Sequence, residues 1–306
     1  MTVGERVRSR RIGRGGAALA AALLLALGGA ACGSEPEPAE ETDSRRTFVE
    51  GRPSPTPTGG WDTEPESIAA LGDSITIGFD TCSLLADCPE ASWSTGTSPE
   101  VESLAERLLA DPSDATWNYA VAGSDMADLP GQAARAATHR PDLVTVLIGA
   151  NDACARDVAA MTPTDDFRAD FERSLRTLER ESPDTQVYVA SVPDLKRLWS
   201  QGRDNALAAR IWQLGICPTM LGDPAAVDAA ATERRERVSA RVDAYNAVLE
   251  EVCDAAERCR YDGGAVHAYR FTADEVSGLD WFHPSRKGQA VLAELAYERV
   301  TAPREP

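Results

Sequence analysis

The sequence predicts a single three-layer α/β domain with a mainly parallel sheet of about five strands. Two observations predict this fold class. After a Pro-rich N-terminal stretch, short apolar runs alternate with amphipathic segments, which is typical of a parallel sheet covered by helices. The chain has 306 residues, of which 43% are hydrophobic and 26% charged, so it is long enough to bury the core of one such domain.

The predicted strands are short apolar runs, four of them clear and the last one weaker. They cover residues 67–71, 117–121, 143–148, 187–192 and 260–261. Between them, apolar residues recur at the spacing of one helical face in two places. The first face contains Val101, Leu104, Ala105, Leu108 and Leu109, and the second contains Val238, Val242, Tyr245, Leu249 and Val252.

The first 31 residues predict an export signal. Five arginines precede an Ala/Leu-rich run over residues 17–31 that is too short to span a membrane comfortably. The run ends at Cys32, and this junction resembles a bacterial lipoprotein signal in which the cysteine carries the lipid. The small residues at 29–31 suit cleavage of a freely secreted protein equally well, so this alternative stays open. We therefore expect an exported protein, extracellular or anchored to the bacterial membrane through Cys32.

Residues 32–65 are rich in Pro, Glu, Thr, Ser and Gly and predict an extended tether, which leaves residues 66–306 for the folded domain. The formal net charge of the chain is −18, and removal of the Arg-rich leader makes it more negative. Such a polyanion is not expected to bind nucleic acid, and it lacks a basic patch for anionic lipid. We expect a monomer.

Seven cysteines support an oxidising compartment, because six remain once Cys32 is set aside. Six cysteines allow 15 pairings. Local spacing favours Cys82–Cys88 and Cys253–Cys259, which leaves Cys154–Cys217 by elimination. A zinc site is the competing interpretation, but no Cys-x-x-Cys occurs and no histidine lies near a cysteine pair at ligand spacing, so no metal site is expected.

Four short motifs in one order carry the candidate functional residues. They are Gly72-Asp73-Ser74, then Gly123, then Gly149-Ala150-Asn151-Asp152, then Asp280-Trp281-Phe282-His283. The first three each follow a predicted strand, and the fourth precedes the last predicted helix, which Pro284 is expected to open. Because ligands of α/β sheets bind beyond the carboxyl ends of the strands, the four motifs are expected to converge on one edge.

These residue types suit ester cleavage. A serine hydroxyl is a poor nucleophile at neutral pH, so Ser74 needs a base, and His283 can accept its proton and later return it to the leaving alcohol. Asp280, three residues earlier, can hold the imidazole in the required tautomer. The amides of Ser74 and Gly123 and the carboxamide of Asn151 can donate hydrogen bonds to the oxyanion.

Each motif also has a purely structural interpretation. Ser74 can cap the following helix, Asn151 can form an Asx turn, and His283 can be a solvated loop residue. Together these alternatives require four coincidences in the right order, so the joint pattern favours catalysis. The two other histidines, His139 and His267, lack an aspartate at matching spacing and are interpreted as ordinary surface or hydrogen-bonded residues.

The constellation resembles the SGNH, or GDSL, hydrolase family over about residues 68–296. The resemblance implies a flavodoxin-like fold, a catalytic triad of Ser74, Asp280 and His283, an oxyanion hole of Ser74, Gly123 and Asn151, and no cofactor. It is closest to actinobacterial secreted esterases and lipases with three disulfides, and residues 124–126 and 128–130 also resemble phospholipase-B-like members. Ile75 replaces the family's usual leucine.

The resulting hypothesis is a secreted or cell-surface serine esterase or lipase acting through an acyl-enzyme on lipid-like or short acyl esters, phospholipids included. An acetyl-glycan esterase is the enzymatic alternative, and an inactive lipid- or glycan-binding module is the alternative of another class. Residues 195–220 are unusually apolar, and either wall an acyl pocket or pack against the sheet. Their large apolar side chains are Trp199, Ile211, Trp212, Leu214 and Ile216. Trp93 is a further candidate for the same cleft.

Overall fold

The structure is a computed structural model that describes residues 60–303. The predicted export signal, Cys32 and most of the predicted tether lie outside the described residues. Residues 60–65, at the end of that tether, are described, and two of them contact the domain. The indole Nε1 of Trp61 donates to the carbonyl of Val300 at 2.8 Å, and the amide of Asp62 donates to Gln186 at 3.0 Å.

Five parallel strands form one sheet in the order β2-β1-β3-β4-β5. The strands are β1 (Ile68–Gly72), β2 (Thr116–Asn118), β3 (Leu143–Leu147), β4 (Gln186–Val189) and β5 (Cys259–Tyr261). Every residue of β1, β3 and β4 is buried, as expected for a parallel sheet covered on both faces. The predicted fold class is confirmed.

Three predicted strands end earlier than expected, and β3 does so by one residue, at Leu147. In β2 the predicted end at residue 121 moves back to Asn118, although the amides of Tyr119 and Val121 still donate to the carbonyls of Ala70 and Gly72 in β1. In β4 the predicted end at residue 192 moves back to Val189. There the amide of Ser191 donates to the carboxylate of Asp262 rather than to a neighbouring strand.

Eleven α-helices and three short 3₁₀ segments connect the strands within residues 60–303. The α-helices are α1 (Ser74–Ile77), α2 (Leu104–Leu108), α3 (Leu129–Ala137), α4 (Ala150–Ala153), α5 (Thr164–Glu181), α6 (Leu195–Gly202), α7 (Ala206–Trp212), α8 (Pro218–Leu221), α9 (Ala229–Asp254), α10 (Ala265–Ala268) and α11 (Arg286–Thr301); the 3₁₀ segments are Pro89–Ala91, Met126–Asp128 and Val158–Ala160. None of the helices in this range has both the length and the apolar character required to cross a membrane.

Two groups of helices cover the sheet. Helices α3, α5 and α9 pack in a row, with α3 against β1 and α9 against β5, while α2 packs against α11. Phe167 of α5 stacks on Tyr245 of α9 with ring centroids 4.1 Å apart, and both rings are fully buried. Both predicted helical faces contribute to the core, since Leu104, Ala105 and Val242 are buried.

Helix starts follow local capping chemistry. Ser103 and Glu106 form a reciprocal capping box at α2. The side chain of Asp228 accepts from Ala231 at the start of α9. Helix α11 begins at Arg286 and is capped by the hydroxyl of Ser285, so the expectation that Pro284 opens this helix is wrong.

Three disulfides lie within the described residues: Cys82–Cys88, Cys154–Cys217 and Cys253–Cys259. They are the pairs expected from spacing and elimination. The second spans 63 residues and ties the end of α4 to the start of α8, whereas each of the others closes a six-residue separation. The first holds the loop that follows α1.

The strand order determines where a site can form. A sheet of order 2-1-3-4-5 has its topological switch point between β1 and β3, and ligands bind in the crevice beyond the carboxyl ends of those strands. The register pairs Gly72 with Leu147, so β1 and β3 end at the same level. Ser74 and Asn151 follow these two ends directly.

Candidate active site

Ser74 is the first residue of α1 and is almost fully buried. The helix is capped by its neighbour, because the carboxylate of Asp73 accepts from the amide of Ile75 at 2.9 Å. The interpretation of Ser74 as the helix cap is therefore wrong. Its hydroxyl oxygen instead lies 2.8 Å from Nε2 of His283, a residue 209 positions away in the sequence.

His283 is paired with Asp280 on its other side, with Nδ1 2.5 Å from Oδ2. The other carboxylate oxygen of Asp280 accepts from the amides of Phe282 and His283, at 2.9 and 3.1 Å. This turn fixes both side chains locally. Trp281, inside the turn, has a positive φ of 58° and its carbonyl accepts from the indole of Trp212. His283 is buried, so it is not a solvated loop residue.

The partners of His283 determine which ring nitrogen holds the proton. An ionised carboxylate only accepts hydrogen bonds, so Nδ1 donates to Asp280 and the lone pair of Nε2 faces the hydroxyl of Ser74. Phe79 and Phe282 pack edge-on against the ring, with centroids 5.2 and 4.9 Å away. The imidazole is thereby held in the orientation that proton transfer from Ser74 requires.

Asp280 remains ionised despite its surroundings. Burial by itself raises the pKa of this carboxyl, but the hydrogen bond and charge of His283 and the amides of Phe282 and His283 outweigh burial and lower the pKa below its ordinary value. The carboxylate is therefore available to stabilise an imidazolium at neutral pH.

The three predicted oxyanion donors lie on separate segments that follow β1, β2 and β3, namely helix α1, the loop after β2 and helix α4. As the first residue of α1, Ser74 has an amide without an acceptor inside the helix. Gly123 is exposed, with a positive φ of 87°, and a Cβ there would meet no atom within 4 Å, so only its backbone conformation favours glycine. The carboxamide nitrogen of Asn151 donates to the carbonyl of Ser124 at 2.8 Å, which holds it beside the Gly123 loop.

Gln132 of α3 connects the loops that follow β1 and β2, and sequence analysis missed it. Its side chain accepts from the amide of Gly72 at 2.8 Å and donates to the carbonyl of Gly72 at 2.9 Å. It also contacts the hydroxyl of Ser124 at 3.3 Å. A glutamine in an Ala-rich helix carries no sequence signal of this role, because both partners are distant in the chain.

Two buried carboxyls beside the site are unusual. Asp73 is fully buried, and burial raises its pKa to about 7 against the opposing hydrogen bond from Ile75. Asp152 accepts from the amide of Met126 at 3.0 Å, and burial raises its pKa to about 6. Both residues stand inside the predicted motifs, but the sequence assigned a role only to their neighbours Ser74 and Asn151.

Asp80 is a third buried carboxyl, and sequence analysis did not single it out. A carboxylate oxygen of Asp80 lies within 4.8 Å of a carboxylate oxygen of Asp280 and of a ring nitrogen of His283. Burial and then the neighbouring Asp280 raise its pKa, opposed by the amide of Leu85, which donates to the carboxylate. The hydroxyl of Ser277 donates to the Asp80 carbonyl at 2.6 Å, and the Ser277 amide donates to the carbonyl of His283. Asp80 thus lies close to both Asp280 and His283.

A cleft with about 630 Å³ of space including its open mouth lies among the chain neighbours of the candidate catalytic residues, although Ser74, Asn151 and His283 do not line it themselves. It is lined by Ile75, Ala150, Phe282 and Pro284, which are the chain neighbours of Ser74, Asn151 and His283. Helix α6, at the start of the apolar segment 195–220, supplies a further wall. Of that segment, the residues lining the cleft are Leu195, Arg197, Leu198 and Gln201, and the large apolar side chains for which the sequence left a pocket wall open are not among them.

Those large side chains have other roles. Trp212 is buried and donates to Trp281, Trp199 donates to the carbonyl of Pro224, and Leu214 is 84% exposed. Trp93 does not reach the cleft either, since it is buried and its indole donates to Thr76. The segment therefore contributes to the cleft through one helix face, and mostly packs elsewhere.

The two remaining histidines lie away from the triad. His139 is exposed and stacks on Trp117, with ring centroids 4.4 Å apart. Nδ1 of His267 lies 2.9 Å from the carbonyl of Val192, and its Nε2 lies 3.4 Å from Asp243. Both have the ordinary structural surroundings that the sequence suggested.

The sequence model of the GDSL-like Lipase/Acylhydrolase family matches residues 70–291, a range that includes all four motifs. The chain belongs to this family. As a member of this acylhydrolase family, the protein is a carboxylic ester hydrolase, and the resemblance inferred from the motifs is confirmed.

This protein is also similar to solved structures, at low sequence identity. A catalytic mutant of Axe2, an acetylxylan esterase from Geobacillus stearothermophilus, is 17% identical, with coverage of 79% of this chain and 97% of that one and a TM-score of 0.48. LAE5, an α/β hydrolase from the metagenome of Lake Arreo, Spain, is 18% identical, with coverage of 77% and 94% and a TM-score of 0.47. No curated protein has a sequence that matches this chain.

Proposed function

We propose that the protein is a serine esterase that hydrolyses carboxylic esters through Ser74, His283 and Asp280. The observation that carries the proposal is the hydrogen-bonded row of their side chains, with 2.8 Å between Ser74 and His283 and 2.5 Å between His283 and Asp280. Nucleophile, base and orienting carboxylate in one row are the arrangement that activates a serine hydroxyl.

The reaction proceeds in two halves. Oγ of Ser74 attacks the ester carbonyl carbon while its proton moves to Nε2 of His283. The oxyanion accepts from the amides of Ser74 and Gly123 and from the carboxamide of Asn151. The tetrahedral intermediate expels the alcohol, which takes the proton from His283, and the acyl group stays on Ser74. Water then attacks the acyl-enzyme by the same route and restores the free serine.

Substitution of the triad tests this assignment. Ser74→Ala is expected to lower kcat by about 10⁵-fold or more, and Asp280→Asn by about 10⁴-fold, because the second keeps the nucleophile but not the required tautomer. The measurement is hydrolysis of p-nitrophenyl esters from acetyl to palmitoyl by residues 60–306 expressed under oxidising conditions. Near-normal turnover by a folded Ser74→Ala variant contradicts the assignment.

The preferred substrates under this proposal are lipid-like or short acyl esters, phospholipids included. Support comes from the apolar side chains that line the cleft beside Ser74, among them Leu195, Leu198 and Phe271. The chain-length series discriminates the alternatives: an optimum at acetyl with release of acetate from acetylated glycans identifies a glycan esterase. Absence of Ser74-dependent turnover on every ester identifies a binding module.

We also propose that the protein acts as a monomer outside the cell, attached to the membrane by a lipid on Cys32. The Ala/Leu-rich leader that ends at this cysteine supports export, and three disulfides fit an oxidising compartment. A freely secreted form is the alternative.

Cell fractionation of the full chain expressed in a bacterium tests the anchor. Wild type is expected in the membrane fraction with incorporated radiolabelled palmitate, whereas Cys32→Ala loses the label and the membrane association, because burial of acyl CH₂ groups supplies the attachment. Ser34→Ala is the matched control and should stay attached. Equal membrane association of the Cys32→Ala variant contradicts the anchor.

A further inference from the structure

The cleft beside Ser74 contains a cation among mostly apolar walls. Helix α6 presents Arg197 to the cleft, between Leu195 and Leu198, and aromatic residues Tyr269 and Phe271 line the cleft as well. Under the proposed function, an ester bound at Ser74 that extends past Ile75 into this cleft would meet both hydrocarbon surface and a guanidinium. The combination is unusual for a site that would bind only a hydrocarbon chain.

The side chain of Arg197 has no hydrogen-bond or ion-pair partner among residues 60–303. Its Nε is buried without a hydrogen-bond acceptor, and its guanidinium forms no ion pair within residues 60–303. Buried donors are normally satisfied. Arg235, which contacts the same helix, illustrates the usual case, since its guanidinium donates to the carbonyls of Met220, Ala226 and Asp223. Arg197 therefore has donor capacity that the fold leaves unused.

The two acidic residues of the cleft do not use that capacity, because they are occupied by other donors. Asp194 caps α6 by accepting from the backbone amide of Arg197 at 2.9 Å. Glu275 accepts from the hydroxyl of Tyr269 at 3.1 Å and from the amide of Thr272 at 2.6 Å. The guanidinium is thus the charged group of the cleft that remains open to a ligand.

We propose that Arg197 binds an anionic group of the substrate, a carboxylate or a phosphate, while the apolar walls hold its hydrocarbon part. The preferred substrates are then esters with a negative charge a short distance from the scissile carbonyl. A guanidinium matches the geometry of both oxyanions through paired donors. The negative net charge of the protein opposes such a ligand at long range, but physiological salt screens it beyond about 8 Å. This inference rests on the proposed function of Ser74.

The test compares anionic and neutral esters of matched size. One arm uses p-nitrophenyl hemisuccinate against p-nitrophenyl butyrate, which places a carboxylate on the acyl chain. The other uses lysophosphatidate against monoacylglycerol with the same acyl group, which places a phosphate in the head group. We expect the ratio of kcat/KM for anionic over neutral ester to fall about 10- to 100-fold in Arg197→Gln, mainly through KM, in the arm that the site recognises.

Two further variants make the result specific. Arg197→Lys keeps the charge and should restore part of the ratio. Lys196→Gln removes a positive charge from the same helix, where Lys196 is paired with Glu236 outside the cleft, and should leave the ratio unchanged. If the ratio is unchanged in Arg197→Gln in both arms, the inference about Arg197 is overturned. The proposed function of Ser74 still stands in that case, provided that turnover depends on Ser74. Loss of Ser74-dependent turnover on all four esters overturns both.

Discussion

At the scale of single residues, the site contains two buried aspartates, Asp280 and Asp73, whose pKa values are shifted in opposite directions. Hydrogen bonds from His283 hold the pKa of Asp280 low, whereas burial raises the pKa of Asp73 to about 7. The difference arises because Asp280 has the imidazole and two amides as donors, while one oxygen of Asp73 has no partner. Asp280 is therefore the ionised carboxylate that the proposed mechanism requires beside His283.

Asp73 gives a stability prediction with a defined sign. Its folded pKa of about 7 lies above its ordinary value of 3.8, so the folded state holds the proton more tightly. The free energy of unfolding consequently falls as the pH rises between these values, by at most about 1.4 kcal/mol per pH unit. Asp73→Asn keeps the cap acceptor without the charge and should gain roughly 2–4 kcal/mol over wild type at pH 8 and almost nothing at pH 4.

Urea unfolding at both pH values measures this difference. Asp114→Asn, which replaces an exposed carboxylate, is the matched control and should not alter the pH dependence of stability. If Asp73→Asn changes stability equally at pH 4 and pH 8, the effect comes from packing and the ionisation argument is wrong.

At the scale of elements, the site depends on loops that the core alone does not fix. Helix α4 has four residues and carries Asn151, and its end is tied to α8 by Cys154–Cys217. The loop after α1 is closed by Cys82–Cys88 and holds Asp80 against Asp280. Gln132 fastens Gly72 to the Ser124 loop. Cross-links and side-chain hydrogen bonds thus hold the site together.

Removal of the long disulfide should destabilise the protein more than removal of a short one. In the chain-entropy account, the paired Cys154→Ser and Cys217→Ser substitutions cost about 4 kcal/mol, since they release a separation of 63 residues. The paired Cys253→Ser and Cys259→Ser substitutions, with a separation of six, cost about 2 kcal/mol and are the control. Urea unfolding under oxidising conditions checks the order. Equal losses would indicate that local strain or packing dominates.

At the scale of the whole molecule, the residues just before the first strand contact the folded domain. The end of the Pro-rich composition predicts a domain boundary at residue 66. Trp61, however, packs against the core, donates to Val300 at the end of α11, and lies under the guanidinium of Arg260 at 4.3 Å. Residues before the first strand therefore connect β5 and the last helix.

This contact predicts that Trp61 contributes to global stability. Trp61→Ala should lower the free energy of unfolding by about 2 kcal/mol, through lost apolar burial and a lost hydrogen bond. Trp61→Phe keeps an aromatic ring under Arg260 but loses the indole N–H and part of the apolar surface, so an intermediate loss of about 1 kcal/mol is expected. Thermal and urea unfolding measure both. Wild-type stability of Trp61→Ala would place residues 60–65 in the tether after all.

The sequence by itself determined the fold class, the five strands and the order of the four motifs, because these depend on local periodicity and on short spacings such as that of Asp280 and His283. It could not determine which distant side chains meet. Only the tertiary structure brought Ser74 and His283 within 2.8 Å, placed Asp80 beside Asp280 and His283, and left the side chain of Arg197 without a partner among residues 60–303. The physical reason is that these contacts join residues far apart in the sequence and depend on how α6, α11 and the loops pack. A local sequence pattern cannot predict such contacts.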